Sequence, residues 1–346
     1  MKKAFTIALT LLALLSCDLW KEKGHSGLFL IRVGSKFGYI DKTGKIAIDP
    51  QFDDAKDFAE GLAPVALGTS QQSWGFIDET GAYTINPQYE EAGPFSEGLA
   101  MVGGHFGEHW LCGYINTAGK KVVENQFRIA GVFSEGLAAV YAVNGKAGYV
   151  DKTGKLVINP QFDDALDFTD GLALFYDADS GWGYIDKTGK PGIAQRFVSA
   201  HSFAEGLAAV CIGGEWGYID KTGKLVINPQ FADAGDFSDG LAAIKARIGQ
   251  DRLCGYIDAA GRTVINPQYG SAQEFSDELA AVCVGGRWGY IDKTGKSVIN
   301  PQFAQAYQFS EGLAWVSDTN RWGYIDRTGT YVWAESLGDT IPRGGP

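Results

Sequence analysis

The five residues His105-Phe106-Gly107-Glu108-His109 spell H-x-x-E-H, which could hold a zinc ion and a general base if both histidines shared one helical face and a third ligand stood beyond. The only other histidines are His25 and His201, and neither is spaced as that third ligand. Gly103, Gly104 and Gly107 surround the segment, so a polar hairpin loop is the better reading. A second candidate is a ladder of aspartates, Asp41, Asp78, Asp151, Asp186, Asp220, Asp258, Asp292 and Asp326. Calcium loops need further acidic ligands at alternate positions, and no second acidic residue recurs two residues away. Each D-x-x-G instead reads as a turn, with the side chain holding the backbone ahead and glycine supplying positive φ. The acidic residues before Gly-Leu, among them Glu60, Glu97, Glu135, Asp170, Glu205, Asp239, Asp277 and Glu311, recur in the same way. A catalytic pair is a single arrangement, whereas these are scaffold. Cys254 and Cys283 lie on strands of adjacent units and could pair; the favoured reading of Cys112, Cys211, Cys254 and Cys283 is small apolar side chains. No enzyme activity, metal or cofactor is therefore expected.

Stepping the same residues through the chain reveals what must position them. Trp216 to Phe231, WGYIDKTGKLVINPQF, recurs in whole or in eroded form from about residue 27 to 333. The glycine of each WG pair (Gly38, Gly75, Gly113, Gly148, Gly183, Gly217, Gly255, Gly289) is followed 24 residues later by the leucine of an F-S-E-G-L block (Leu62 through Leu313) in all eight cases. Length varies only between that leucine and the next glycine, a step that ranges from 10 to 14 residues. Such constancy marks a stacked repeat.

Within one unit, Leu207 to Val210 and Trp216 to Asp220 alternate as strands around Gly213-Gly214. Leu225 to Ile227 makes a third, ended by Asn228-Pro229. The connector Gln230 to Gly240 places Phe231, Ala234 and Phe237 three apart, as in a turn of helix or an irregular plug. The fold expected is all-β: nine three-stranded antiparallel meanders in an open solenoid or superhelix. A closed β-propeller is disfavoured because nine blades are many and the units short for four strands. The tyrosine and tryptophan of each WGY are read as stacked core aromatics.

The W-G-Y-I-D-K-T-G-K, N-P-Q-F and F-S-E-G-L-A blocks resemble the WG-repeat, or KWG, family of bacterial proteins. Membership implies an all-β tandem array, usually without assigned catalysis. Departures are local: Phe37, Cys112, Ala147 and Cys254 replace the tryptophan, Glu124-Asn125-Gln126 and Ala194-Gln195-Arg196 replace the N-P turn, and Glu278 replaces a glycine.

Residues 1–16 read as an export signal, with Lys2 and Lys3 before the apolar run Ala4 to Leu15. Leu14-Leu15-Ser16-Cys17 resembles a bacterial lipobox, which implies cleavage before Cys17 and its acylation. Residues 17–26 then form a short tether, 27–333 the repeats and 334–346 a flexible tail. A formal charge of −11 argues against nucleic acid and anionic lipid as partners, leaving the lipid as the one membrane attachment. The expected function is a lipid-anchored, extracytoplasmic, non-catalytic protein-interaction scaffold of the bacterial cell envelope. The alternative is a glycan or cell-wall binding module. Recognition is expected on the variable hairpin loops, at Phe106, His109, Trp110, Tyr176, Asp177, Arg247, Asp251 and Arg252, because insertions in stacked repeats gather on one side.

Overall fold

The computed structural model describes residues 26–336, which form nine antiparallel sheets, eight of four strands and the first of three. Blade 7 shows the plan: strand A is Asp233–Ser238, B Leu241–Ile248, C Asp251–Asp258 and D Thr263–Tyr269. Strands A of blades 3, 4 and 5 pack beside one another and so line the centre. Strands D alternate exposed residues with a buried aliphatic such as Ile265, and form the rim.

The repeat is thus four-stranded, correcting the expected meander. The connector, expected as a turn of helix or an irregular plug, is strand A, in which a bulge between Ala234 and Phe237 sets three steps against the two from Ile244 to Ala242. That extra residue returns both side chains to the buried face, so a spacing of three arises without a helix. In blades 2, 6 and 8 strand A shrinks to Asp54–Ala55, Ser199–Ala200 and Ser271–Ala272. Nor does Asn-Pro end the outer strand, which runs Leu225–Phe231 in blade 6. Proline sits at an irregularity where no ladder bond is needed. There the backbone swings toward the WG glycine: a Cβ on Gly217 would lie 2.5 Å from the Ile227 carbonyl oxygen and 2.6 Å from Pro229 N. The invariant glycine and the proline are two halves of one close approach.

The array is closed, a nine-bladed β-propeller, not the open solenoid expected. Each WGY tyrosine is buried, and at the boundaries the chain crosses its hydroxyl donates to the segment leading into strand B of the next blade, Tyr218 to Gly235 O of strand A at 2.8 Å and Tyr256 to Gln273 O, one residue past the short strand A of blade 8, at 2.7 Å. Its ring meets that strand's phenylalanine edge-on, Phe237 against Tyr218 at 5.0 Å. Blade 9 treats blade 1 as its next neighbour. Tyr324 donates to Leu30 O at 3.0 Å, and Leu313 and Tyr324 share one apolar cluster with Phe29, Ile31 and Ile40. A sheet pair buries its two faces only against neighbours, and the last exposed face finds the first. The final strand runs Tyr331–Ser336, three residues past the expected end of the repeats. The signal segment, Cys17 and most of the tail lie outside the described residues.

Candidate interaction face

Successive strands alternate in direction, so the A–B and C–D turns share one face of the disc and the B–C hairpins share the other. On the first face the A–B turn is two residues long: Ser238 pairs with Leu241 around Asp239 (φ 56°) and Gly240 (φ 83°). Positive φ at both places is type I′, and a carboxylate residue there costs about 1 kcal/mol or more. The side chain offsets that cost by reaching the next blade. Glu97 accepts from Gly136 N at 3.0 Å and pairs with Lys152 at 2.9 Å; Glu135 accepts from Gly171 N and pairs with Lys187 at 3.0 Å. Asp170, Glu205 and Asp277 accept from Gly206, Gly240 and Gly312. Glu311 repeats the clasp across the closure, taking Gly27 N at 3.1 Å and Lys42 at 3.4 Å. Blade 1 carries Ser26 at this position, its hydroxyl accepting from Leu28 N.

The C–D turns on the same face are capped as the D-x-x-G pattern predicts. Asp220 Oδ1 accepts from Thr222 N, Thr222 Oγ1 and Lys224 N. The threonine hydroxyl, foremost, holds the carboxyl below the usual aspartate range, as at Asp41, Asp78, Asp151, Asp186 and Asp292. The recurring acids are backbone acceptors.

The opposite face is built differently. Seven of the nine B–C hairpins carry an exposed aliphatic or aromatic residue at their tip: Val33, Leu67, Phe106, Val143, Ile212, Ile248 and Val284, from 41% exposed at Leu67 to 59% at Val143. In five of them that residue pairs across a two-residue turn with a charged or polar one, as Ile212 with Glu215 and Val284 with Arg287. An exposed apolar side chain on one hairpin is ordinary, but a set of them around a single face distinguishes that face from the one opposite.

All eight loop residues singled out from the sequence lie on this face, in three separate groups. Phe106, His109 and Trp110 belong to blade 3, whose strands B and C extend to eight residues each. His105 pairs with Glu90 at 2.7 Å and meets the Trp110 ring edge-on at 5.2 Å, so H-x-x-E-H is a strand-hairpin-strand segment, not a zinc helix. Among the described residues no group of three histidine, cysteine or acidic side chains is placed to hold a metal ion. Tyr176 and Asp177 are on blade 5, the tyrosine ring 5.2 Å from Trp182. Arg247, Asp251 and Arg252 are on blade 7, where Arg247 binds Glu215 of blade 6. Intervening blades keep the three groups apart, so they form no single pocket. Cys254 is buried, Cys283 is half-buried, and both are free thiols. The apolar tips escaped the sequence reading; in six of the seven an apolar residue stands directly before the hairpin glycine, where a polar one would serve the turn equally well, and only the topology gathers them on one face.

Comparisons agree with this architecture. A solved structure titled as the eukaryotic initiation factor superposes with a TM-score of 0.64 at 15% identity, covering 89% of this chain and 95% of that one. BamB from Moraxella catarrhalis gives a TM-score of 0.40 at 11% identity over 89% of this chain and 96% of that one, too low for any argument. No curated protein matches in sequence. The model for the WG containing repeat matches residues 37–68, 74–103, 113–146, 148–176, 182–216, 216–246, 255–288 and 288–321, in register with the strands described above, and the chain belongs to the WG-repeat family.

Proposed function

We propose that this propeller is a non-catalytic interaction scaffold that binds a partner protein through its B–C hairpin face, held at a bacterial envelope membrane by acylation of Cys17. The observation that carries the reading is the asymmetry of the disc. Carboxylate clasps join blades on both faces, Glu97 with Lys152 on one and Asp163 with Lys146 on the other, but only the B–C hairpins end in large apolar side chains left in water. A polypeptide is favoured over a glycan because sugar recognition wants open ring faces, and Trp110 and Tyr176 are half-buried against His105 and Trp182. Anchoring rests on Leu14-Leu15-Ser16-Cys17 alone.

Crosslinking from the full chain in its own membrane tests the face. Val143→Asp, Ile212→Asp and Val284→Asp together should abolish the crosslinked partner, whereas Lys152→Ala and Lys187→Ala on the opposite face should leave it. Equal loss from both sets would remove the reading. Loss of radiolabelled palmitate in Cys17→Ala tests the anchor.

A further inference from the structure

The B–C face is unequal around the ring in a way that complements itself. Blades 3 and 7 carry hairpins of eight-residue strands, which stand above strands of five or six residues in the other blades. At about 3.4 Å per residue the two extra residues raise these hairpins by about 7 Å. Blades 5 and 9 are the two without an exposed apolar tip, ending instead in Asp177-Ala178-Asp179-Ser180 and Asp318-Thr319-Asn320. In a ring of nine, one twofold axis lying across the face and passing over blade 6 exchanges 7 with 5 and 3 with 9, which sets both tall hairpins over both polar tips. The same axis exchanges 4 with 8 and 1 with 2, laying Val143 over Val284 and Val33 over Leu67, and sets Ile212 over its own copy.

Across the exchange of blade 5 with blade 7, charge is complementary as well. Asp163 binds Lys146 at 2.6 Å, and Asp177 and Asp179 lie within the field of that one ammonium, so blade 5 carries uncompensated negative charge. On blade 7, Arg247 and Arg252 are direct cross-strand partners, an unfavourable placement of like charges. Glu215 neutralises Arg247, and Arg252 is exposed without an ion pair among the described residues.

We propose that two copies of this chain dock face to face through their B–C hairpins, about a twofold axis over blade 6, with Arg252 of each copy meeting Asp177 and Asp179 of the other. This is an isologous contact, so each complementary pair is formed twice. It rests on the reading of the B–C face as the binding face and names a second copy of this chain as the partner that occupies it.

Sedimentation velocity of the full chain, kept unacylated by Cys17→Ser, tests the pairing. The parent should be dimeric at micromolar concentration. Asp177→Arg with Asp179→Arg, and separately Arg252→Asp, should each raise the dimer dissociation constant by about tenfold or more, since like charges then face each other twice. Mixing the two variants should restore a dimer, because both contacts in the mixed pair are again of opposite sign. Asp179 and Arg252 are exposed, while Asp177 is half-buried and accepts from Asp179 N, so circular dichroism of each variant should match the parent before its dissociation constant is read. In a Cys211→Ser background, Ile212→Cys should crosslink to its own copy on mild oxidation. A monomeric parent, or a dimer that neither responds to the charge exchange nor crosslinks at position 212, overturns the proposal. A monomer whose partner crosslinking still fails with the three tip aspartates overturns the pairing alone and leaves the face assignment standing.

Discussion

Phe29 packs edge-on against Tyr324, ring centres 5.4 Å apart at 61°, across the one blade boundary that the backbone does not cross. At the other eight boundaries the ring beside that position comes from strand A of the following blade or from the residues just after it, as Phe58 beside Tyr39 at 4.8 Å. The residue equivalent to Phe29 is then alanine, Ala63 in blade 2 and Ala242 in blade 7. Blade 1 has no strand A among the described residues, and its strand B supplies the missing ring. Its backbone compensates in parallel. Pro64 O takes Lys56 N at 2.9 Å in blade 2, while the equivalent Leu30 O takes the Tyr324 hydroxyl.

Phe29→Ala should therefore open the ring at one place. Truncating a buried phenylalanine costs about 3–5 kcal/mol, and here the loss falls on a boundary with no covalent link. Amide exchange should accelerate first in Leu28–Val33 and Arg321–Asp326. In Phe237→Ala, at a boundary the chain does cross, exchange should rise around Leu241–Ile248 without opening the closure. Identical exchange maps for the two variants would mean that Phe29 has no special role.

The carboxylate clasps make a graded prediction. Glu311 holds both a backbone N–H and Lys42 across the closure, whereas Glu60 holds Gly98 N between covalently joined blades. Glu311→Ala should lower thermal stability by more than Glu60→Ala, with a loss of about 1–3 kcal/mol for an N–H left without its charged acceptor. Glu311→Gln keeps an acceptor and should recover most of the loss, because the exposed ion pair adds under about 1 kcal/mol. A glutamine variant as unstable as the alanine one would shift the weight to the ion pair.

Two glycines separate close approach from turn conformation. Gly217→Ala would force a Cβ into the Ile227 carbonyl and Pro229, with backbone on both sides and no side chain free to yield. Gly213→Ala meets open space but sits at φ 64°. The second should cost about 1 kcal/mol, as for a single left-handed alanine, and the first several times that. Chemical denaturation of the two variants checks the order, and a reversed order would refute the account of the WG glycine.

The repeat, its β content and its turn caps were legible in the sequence because each rests on local chemistry: period-two alternation, Asp-x-x-Gly, and fixed spacing. Strand A was not, because a bulge gives Ala234 and Phe237 the spacing of a helix while both face the core. Closure was hidden for a different reason. It depends on Phe29 replacing an alanine and on Glu311 reaching Gly27, contacts 295 and 284 positions apart, and a single substitution carries no visible direction. The eight loop residues were placed on one face as expected, but the ring of apolar tips was missed, since an isolated exposed valine carries no signal until topology gathers seven such tips.

The capped turns fix how stability depends on acid. Hydrogen bonds from Thr153, Thr188, Thr222 and Thr294 lower the folded pKa of Asp151, Asp186, Asp220 and Asp292 below the unfolded value of about 3.9. A depressed carboxyl stabilises the fold above the unfolded pKa, and that contribution is lost as pH falls through the folded pKa. Stability should thus be level through neutral pH and decline below about pH 4. Replacing the four threonines by valine removes the hydroxyl donors and leaves the backbone donors in place. The variant should melt below the parent at pH 7, and the difference should shrink toward pH 2 as both sets of carboxyls protonate. Thermal melts at pH 7, 5, 3 and 2 measure this directly. A difference that stays constant with pH would assign the threonines a packing role and remove charge-assisted capping as the reason the turn is spelled Asp-Lys-Thr-Gly.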